Sequence, residues 1–85
     1  MPLIRLYANL RKIAGKNEVS IAGGSVGEIL SELVRQIPAL EASLLNNGQI
    51  RPHVIITING HPTTDAQAAV TDQDEIAVFP PIAGG

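Results

Sequence analysis

The stretch from Ser25 to Pro38 constrains the fold more than any other part of the chain. Ser25 is followed three residues later by Glu28, the spacing of a capping box, in which two side chains satisfy amide donors at a helix start. Val26, Ile29, Leu30, Leu33, Val34 and Ile37 then recur at helical spacing and give one apolar face. Pro38 disfavours helical backbone at Ile37 and ends the run there. Such a helix must bury its stripe, and the stripe therefore reads as core rather than as a cofactor site. With 85 residues there is room for one small core, and the helix must find its partner surface within it.

The partner is a sheet, because the remaining apolar residues alternate. Leu3 to Tyr7 reads as a strand with Ile4 and Leu6 on one face and Leu3, Arg5 and Tyr7 on the other. Asn9 to Ala14 reads as a helical turn closed by Gly15, and Glu18 to Ala22 as a second strand followed by a Gly23-Gly24 loop. A helical turn around Leu40, Leu44 and Leu45 leads to an Asn46-Asn47-Gly48 turn. His53 to Asn59 reads as a strand burying Val54, Ile56 and Ile58, and Asn59-Gly60 is a hairpin signal. Ala66 to Val70 is a connection without a clear pattern, Thr71 to Asp74 an acidic turn, and Glu75 to Phe79 a last strand with Ile76 and Val78 inward. The order ββαββ, with one long helix packed across a mixed sheet, matches the β-grasp or ubiquitin-like arrangement. Periodicity alone supports an α+β fold and leaves other small α+β folds open.

Several function classes are disfavoured. A net charge of −2 and a charged fraction of 16% give no broad attraction to nucleic acid or to an anionic membrane. No window approaches a membrane span and the N-terminus lacks a signal-peptide layout, so a cytoplasmic location is expected. The chain has no cysteine, which removes a thiol nucleophile, a persulfide carrier and any thiolate metal site. His53 and His61 have no third ligand at metal-site spacing, so no metal is expected. There is no Gly-rich phosphate loop, and Ser20, Ser25, Ser31 and Ser43 lie outside any nucleophile elbow. No self-contained active site is expected.

The chemistry is expected at the end of the chain, Phe79-Pro80-Pro81-Ile82-Ala83-Gly84-Gly85. Pro80 and Pro81 lack amide donors and end the last strand. Gly84 and Gly85 have no Cβ and suit a chain end that must enter a narrow active site. The residues beyond Phe79 span about 20 Å when extended. The division expected is a folded domain over 1–79 and a flexible tail over 80–85, the alternative being an ordinary frayed terminus.

The segment from Asp72 to Gly85, with its acidic turn, apolar strand, Pro-Pro and final Gly-Gly, closely resembles the ubiquitin-like sulfur carriers, the family that includes the small subunit of molybdopterin synthase and the thiamine-pathway carrier. Leu6-Tyr7-Ala8-Asn9-Leu10-Arg11, with Gly15 soon after, resembles the same family's first strand and helix. Arg51 to Gly60 also resembles carriers that supply sulfur for cysteine biosynthesis. The resemblance implies a β-grasp fold and a C-terminal Gly85 that is adenylated by an ATP- and Mg²⁺-dependent activating enzyme. Sulfide equivalent then replaces AMP and leaves a thiocarboxylate, so sulfur rides on a backbone terminus in a chain without cysteine. In the molybdopterin branch the tail enters the large synthase subunit, within a hetero-oligomer, and gives its sulfur to a pterin precursor. Gly85 would carry the cargo while Ala83 and Gly84 keep the end thin. Carriers for thiamine or cysteine synthesis, a modifier joined to lysines through Gly85, and a non-covalent β-grasp binding module are the other readings.

A docking surface follows from the strand alternation. With Ile76 and Val78 inward, Ala77 and Phe79 face away from the helix, as do Leu3, Tyr7 and Ile55. Neighbouring first and last strands would gather these into one apolar patch beside the tail, containing both aromatic residues of the chain. Scattered surface hydrophobics are the alternative.

Overall fold

The protein is described by a computed structural model covering residues 1–80. The first half contains β1 (Leu3–Leu6), α1 (Asn9–Ala14), β2 (Glu18–Ser20) and α2 (Val26–Gln36). A 3₁₀ turn (Pro38–Leu40) leads into α3 (Glu41–Leu44), β3 (Leu45–Asn46) and β4 (Gln49–Ile50). The chain then forms β5 (Ile55–Ile58), β6 (His61–Thr63) and β7 (Glu75–Phe79).

Five strands form one mixed sheet in the order β2-β1-β7-β5-β6. β7 runs parallel to β1 and antiparallel to β5, while β2 and β6 pair antiparallel at the two edges. The parallel pair requires a crossover, and α2 lies within it. Ile4, Leu6, Ile56, Ile76 and Val78 on the inner sheet face join Val26, Ile29, Leu30 and Leu33 of α2 in one buried cluster. This is the β-grasp arrangement expected from the ββαββ order.

The start of α2 shows how sequence and tertiary structure share the work. Ser25 Oγ accepts from the Glu28 amide at 3.2 Å, while Glu28 Oε1 accepts from the Gly24 amide at 2.8 Å, one residue before the cap. The Val26 and Gly27 amides donate to the carbonyls of Ala68 and Ala66 at 3.0 and 2.7 Å. The Ala66–Val70 connection is thus a strap that fills donors every helix start leaves open. It also brings Val70 into the core.

Other boundaries differ from those expected. β2 stops at Ser20, though Ile21 remains fully buried and its amide donates to Pro2. β5 begins at Ile55 because His53 has φ +71°, which breaks an extended run. Leu45 leaves the helical turn and pairs with Ile50 in a second, two-stranded sheet. α2 ends at Gln36, one residue before the expected end, because Ile37 is a non-helical C-cap at φ −128°. Val34 and Ile37 sit at the rim of the buried stripe and are only partly covered. Asn59 and Gly60 have φ of +51° and +86°, the type I′ geometry that an Asn-Gly pair favours.

β1 stops before Tyr7 at a strained turn. Ala8 has φ 54° and ψ −134°, and the Leu10 amide donates to the Tyr7 carbonyl at 3.1 Å. This is the type II′ geometry in which glycine is the favoured first central residue. Strain of this kind costs about 1–3 kcal/mol, whereas a new glycine loosens the unfolded chain by less than about 1 kcal/mol. Ala8→Gly is therefore expected to raise stability by about 1 kcal/mol in denaturant unfolding. A lower midpoint for the glycine variant would contradict the strained turn.

Candidate functional site at the end of the central strand

The strand that leads to the tail is the middle strand of the sheet. Its backbone is paired on both sides, with Val78 beside Leu6 and Phe79 opposite Ile55. Pairing on both sides fixes the position of Phe79 at the end of β7. Pro80 follows Phe79 and is half-buried. Pro81, Ile82, Ala83, Gly84 and Gly85 lie outside the described residues.

The outer face at this end of the sheet is apolar. The rings of Tyr7 and Phe79 stack with centroids 4.5 Å apart and planes 13° from parallel. Ile55 lies directly across from Phe79 and is 47% exposed, which is unusual for an isoleucine in a central strand. Ala77 sits one step back, beside Arg5 on one side and Thr57 on the other. Tyr7, Phe79, Ala77 and Thr57 line a shallow depression that reaches Asn59 and Gly60.

Leu3 is not part of this group. It pairs with Glu75 at the opposite end of β1 and β7. Between Leu3 and Tyr7 stands Arg5, whose guanidinium bonds Glu75 and lies 3.0 Å from Glu18 Oε2. The hydrogen bond to Glu75 and the charges of both carboxylates push the Arg5 pKa above its ordinary value. The face therefore has an apolar end at Phe79 and a charged bridge across three strands behind it. Alternation placed Arg5 and Glu75 on this face, but only the β1–β7 register reveals that they meet.

The acidic turn before β7 is a structural knot. Asp74 Oδ2 accepts from the Thr71 amide at 2.8 Å and Oδ1 accepts from Asn59 Nδ2 at 2.8 Å. Asn59 Oδ1 in turn accepts from the Glu75 amide at 2.9 Å, joining the β5–β6 hairpin to the start of β7. The Thr71 amide, followed by Asn59, holds the Asp74 carboxyl below the usual aspartate range. A carboxylate with a depressed folded-state pKa stabilises the fold above the ordinary aspartate value and stops doing so as pH falls through the lower folded value. Asp74→Ala is expected to lower the melting temperature at neutral pH, with the gap to the parent closing in acid below the ordinary aspartate range. A gap independent of pH would remove this role.

His53 lies before β5 and His61 begins β6, and both are exposed. Among the described residues no group of three His, Asp or Glu side chains could hold a metal ion, and no helix is long and apolar enough to cross a membrane.

A mixed sheet crossed by one helix, with the last strand at its centre and an apolar outer face at the C-terminal end of that strand, defines a ubiquitin-like β-grasp protein. The model of the ThiS family matches residues 4–85, and the chain belongs to this family of ubiquitin-like sulfur carriers and modifiers. It is 32% identical over 88 residues to small archaeal modifier protein 3 of Haloferax volcanii, covering 96% of each chain. It is 33% identical over 85 residues to the molybdopterin synthase sulfur carrier subunit of Arabidopsis thaliana, covering 96% of this chain and 80% of that protein. The solution structure of small archaeal modifier protein 1 from Methanosarcina acetivorans superposes with a TM-score of 0.88 at 30% identity, covering 98% of this chain and 94% of the other.

Proposed function

We propose that this chain carries sulfur as a thiocarboxylate on Gly85 and donates it to a pterin precursor as the small subunit of molybdopterin synthase. The observation that carries this reading is the family match, which runs through Gly84 and Gly85 and includes a molybdopterin synthase sulfur carrier subunit at 33% identity. A free terminal carboxylate is an anion at neutral pH and a poor electrophile. An activating partner using ATP and Mg²⁺ makes it attackable: a carboxylate oxygen of Gly85 attacks the α-phosphorus and pyrophosphate leaves. A sulfide equivalent then attacks the acyl carbon, the bond to AMP breaks, and the thiocarboxylate remains. Tyr7, Phe79, Ala77 and Ile55 provide the docking surface at the root of the tail, where aromatic groups contribute most to affinity. Leu3, beyond the Arg5 bridge, stands outside its centre.

A second reading has its own observation. Two small archaeal modifier proteins match at 32% and 33% identity over almost the whole chain, which supports a role in which Gly85 is joined to lysines of other proteins. Both readings share the activated Gly85 and differ in the acceptor. The test supplies the activated chain with a large synthase subunit and pterin precursor in one reaction, and with a cell extract in another. Dithiolene formation in the first supports the synthase reading. Its absence, with new isopeptide-linked adducts in the second, supports the modifier and overturns the synthase assignment.

A further inference from the structure

The chain contains two Asn-Gly pairs, Asn47-Gly48 and Asn59-Gly60, and the fold puts both at hairpin tips. Their backbones are alike: Asn47 and Gly48 have φ of +53° and +79°, Asn59 and Gly60 +51° and +86°. All four residues are exposed. What differs is how each asparagine side chain is held.

The Asn59 amide group is engaged at both ends, donating to Asp74 and accepting from the Glu75 amide. Its own backbone amide donates to the Glu75 carbonyl at 2.8 Å. Its hairpin belongs to the five-stranded sheet. Asn47 has no side-chain hydrogen bond among the described residues. It tips a sheet of only two strands and two residue pairs, Leu45 with Ile50 and Asn46 with Gln49. So short a ladder opens at small free-energy cost compared with the central sheet.

That difference has a chemical consequence. When an Asn-Gly turn opens, the glycine amide nitrogen can approach the asparagine side-chain carbon, because glycine offers no Cβ to block it. The Gly48 nitrogen gives its proton to hydroxide and attacks Cγ of Asn47, forming a C–N bond. The departing nitrogen takes a proton from water, which restores the hydroxide, the C–NH₂ bond breaks and ammonia leaves, closing a succinimide. Water then opens the ring at either carbonyl, giving aspartate or isoaspartate. The net exchange is one water in and one ammonia out, with no redox change.

We infer that Asn47 is a spontaneous modification site of this protein, converting to aspartate and isoaspartate, while Asn59 is protected by the hydrogen bonds that tie it to Asp74 and Glu75. The product places a new carboxylate beside Gly48, which lines the cleft between the β3–β4 hairpin and Gly27, Leu30 and Ser31 of α2. That cleft is walled by the helix, the small hairpin and the segment at Thr64 and Ala66, without any residue of the Tyr7–Phe79 patch. Isoaspartate also adds a backbone carbon at the tip, which the two-residue turn cannot absorb without losing its register.

The experiment is to age the purified chain in mildly alkaline buffer and follow both tips by peptide mass mapping. Methyl acceptance from an isoaspartyl methyltransferase reports the isoaspartate share. Conversion at Asn47 is expected to be faster than at Asn59 by roughly tenfold or more, since the latter must first break two side-chain hydrogen bonds. Asp74→Ala, aged under conditions where it remains folded, is expected to accelerate Asn59 and leave Asn47 unchanged. Equal rates at the two tips, faster conversion at Asn59, or no effect of Asp74→Ala on Asn59 would each overturn the inference.

Discussion

Removing Gly85, or adding one residue after it, is expected to abolish sulfur transfer and leave the melting temperature unchanged. The proposed chemistry sits on the Gly85 carboxylate, whereas the buried cluster runs from Ile4 to Val78. One residue of extended chain is about 3.3–3.6 Å. A partner active site that expects the carbonyl at one place meets it a residue short in the first variant and blocked by an amide in the second. Misplacing a reacting atom by even about 1 Å can cost a hundredfold, so a loss greater than about a hundredfold is expected in both variants. Single-turnover sulfur transfer and thermal unfolding measured on the same preparations separate the two effects. Full transfer from an extended, unprocessed variant would end the carrier reading.

The second large effect concerns adjacent residues of β7 that face opposite ways. Val78 is fully buried against the core, whereas Phe79 lies on the outer face with its ring on Tyr7. Val78→Ala leaves a cavity beneath α2 and is expected to cost roughly 2 kcal/mol of stability. Phe79→Ala gives up a half-exposed stack and is expected to cost less than that in stability. In partner binding the order reverses: losing an aromatic anchor at an interface centre weakens affinity by about 2 kcal/mol or more. Denaturant unfolding and titration against the activating enzyme, run on both variants, test the pair. A Phe79→Ala protein that unfolds while binding is retained by its folded fraction would move Phe79 from the docking surface to the core.

The features legible from the sequence were those written in local chemistry. The helix at Val26–Gln36 follows from Ser25, Glu28, the apolar stripe and Pro38, all within fourteen consecutive positions. The inward set of β7, Ile76 and Val78, follows from alternation alone. Hairpin geometry at Asn59-Gly60 follows from the two residue types. What escaped depends on contacts between distant segments. Ala66 to Val70 has no pattern of its own because its role is to offer carbonyls to the start of α2. The short β3–β4 pair is set by the meeting of Leu45 and Ile50, which neither residue announces.

At the candidate site the same division holds. Alternation gathers Tyr7, Ala77, Phe79 and Ile55 on one face, and the Tyr7–Phe79 stack and the β5–β7 register bring them together. Leu3 shares their face but not their end of the sheet, because a strand's alternation gives the side and only its length and register give the position along it. The Arg5 bridge to Glu18 and Glu75 is a property of three strands at once. Ala8, at φ 54°, is invisible to composition, since alanine is an ordinary residue in an extraordinary backbone region.

On the proposed function, Gly85 accepts sulfur. Intact-mass spectrometry of the chain after incubation with its activating enzyme, ATP, Mg²⁺ and a sulfide source tests this most directly, with fragmentation to locate the change. The expected result is a mass gain equal to replacing one oxygen by sulfur, confined to the fragment that contains Gly85 and absent when ATP is withheld. An unchanged mass under conditions in which the same enzyme thiocarboxylates a related carrier would contradict it.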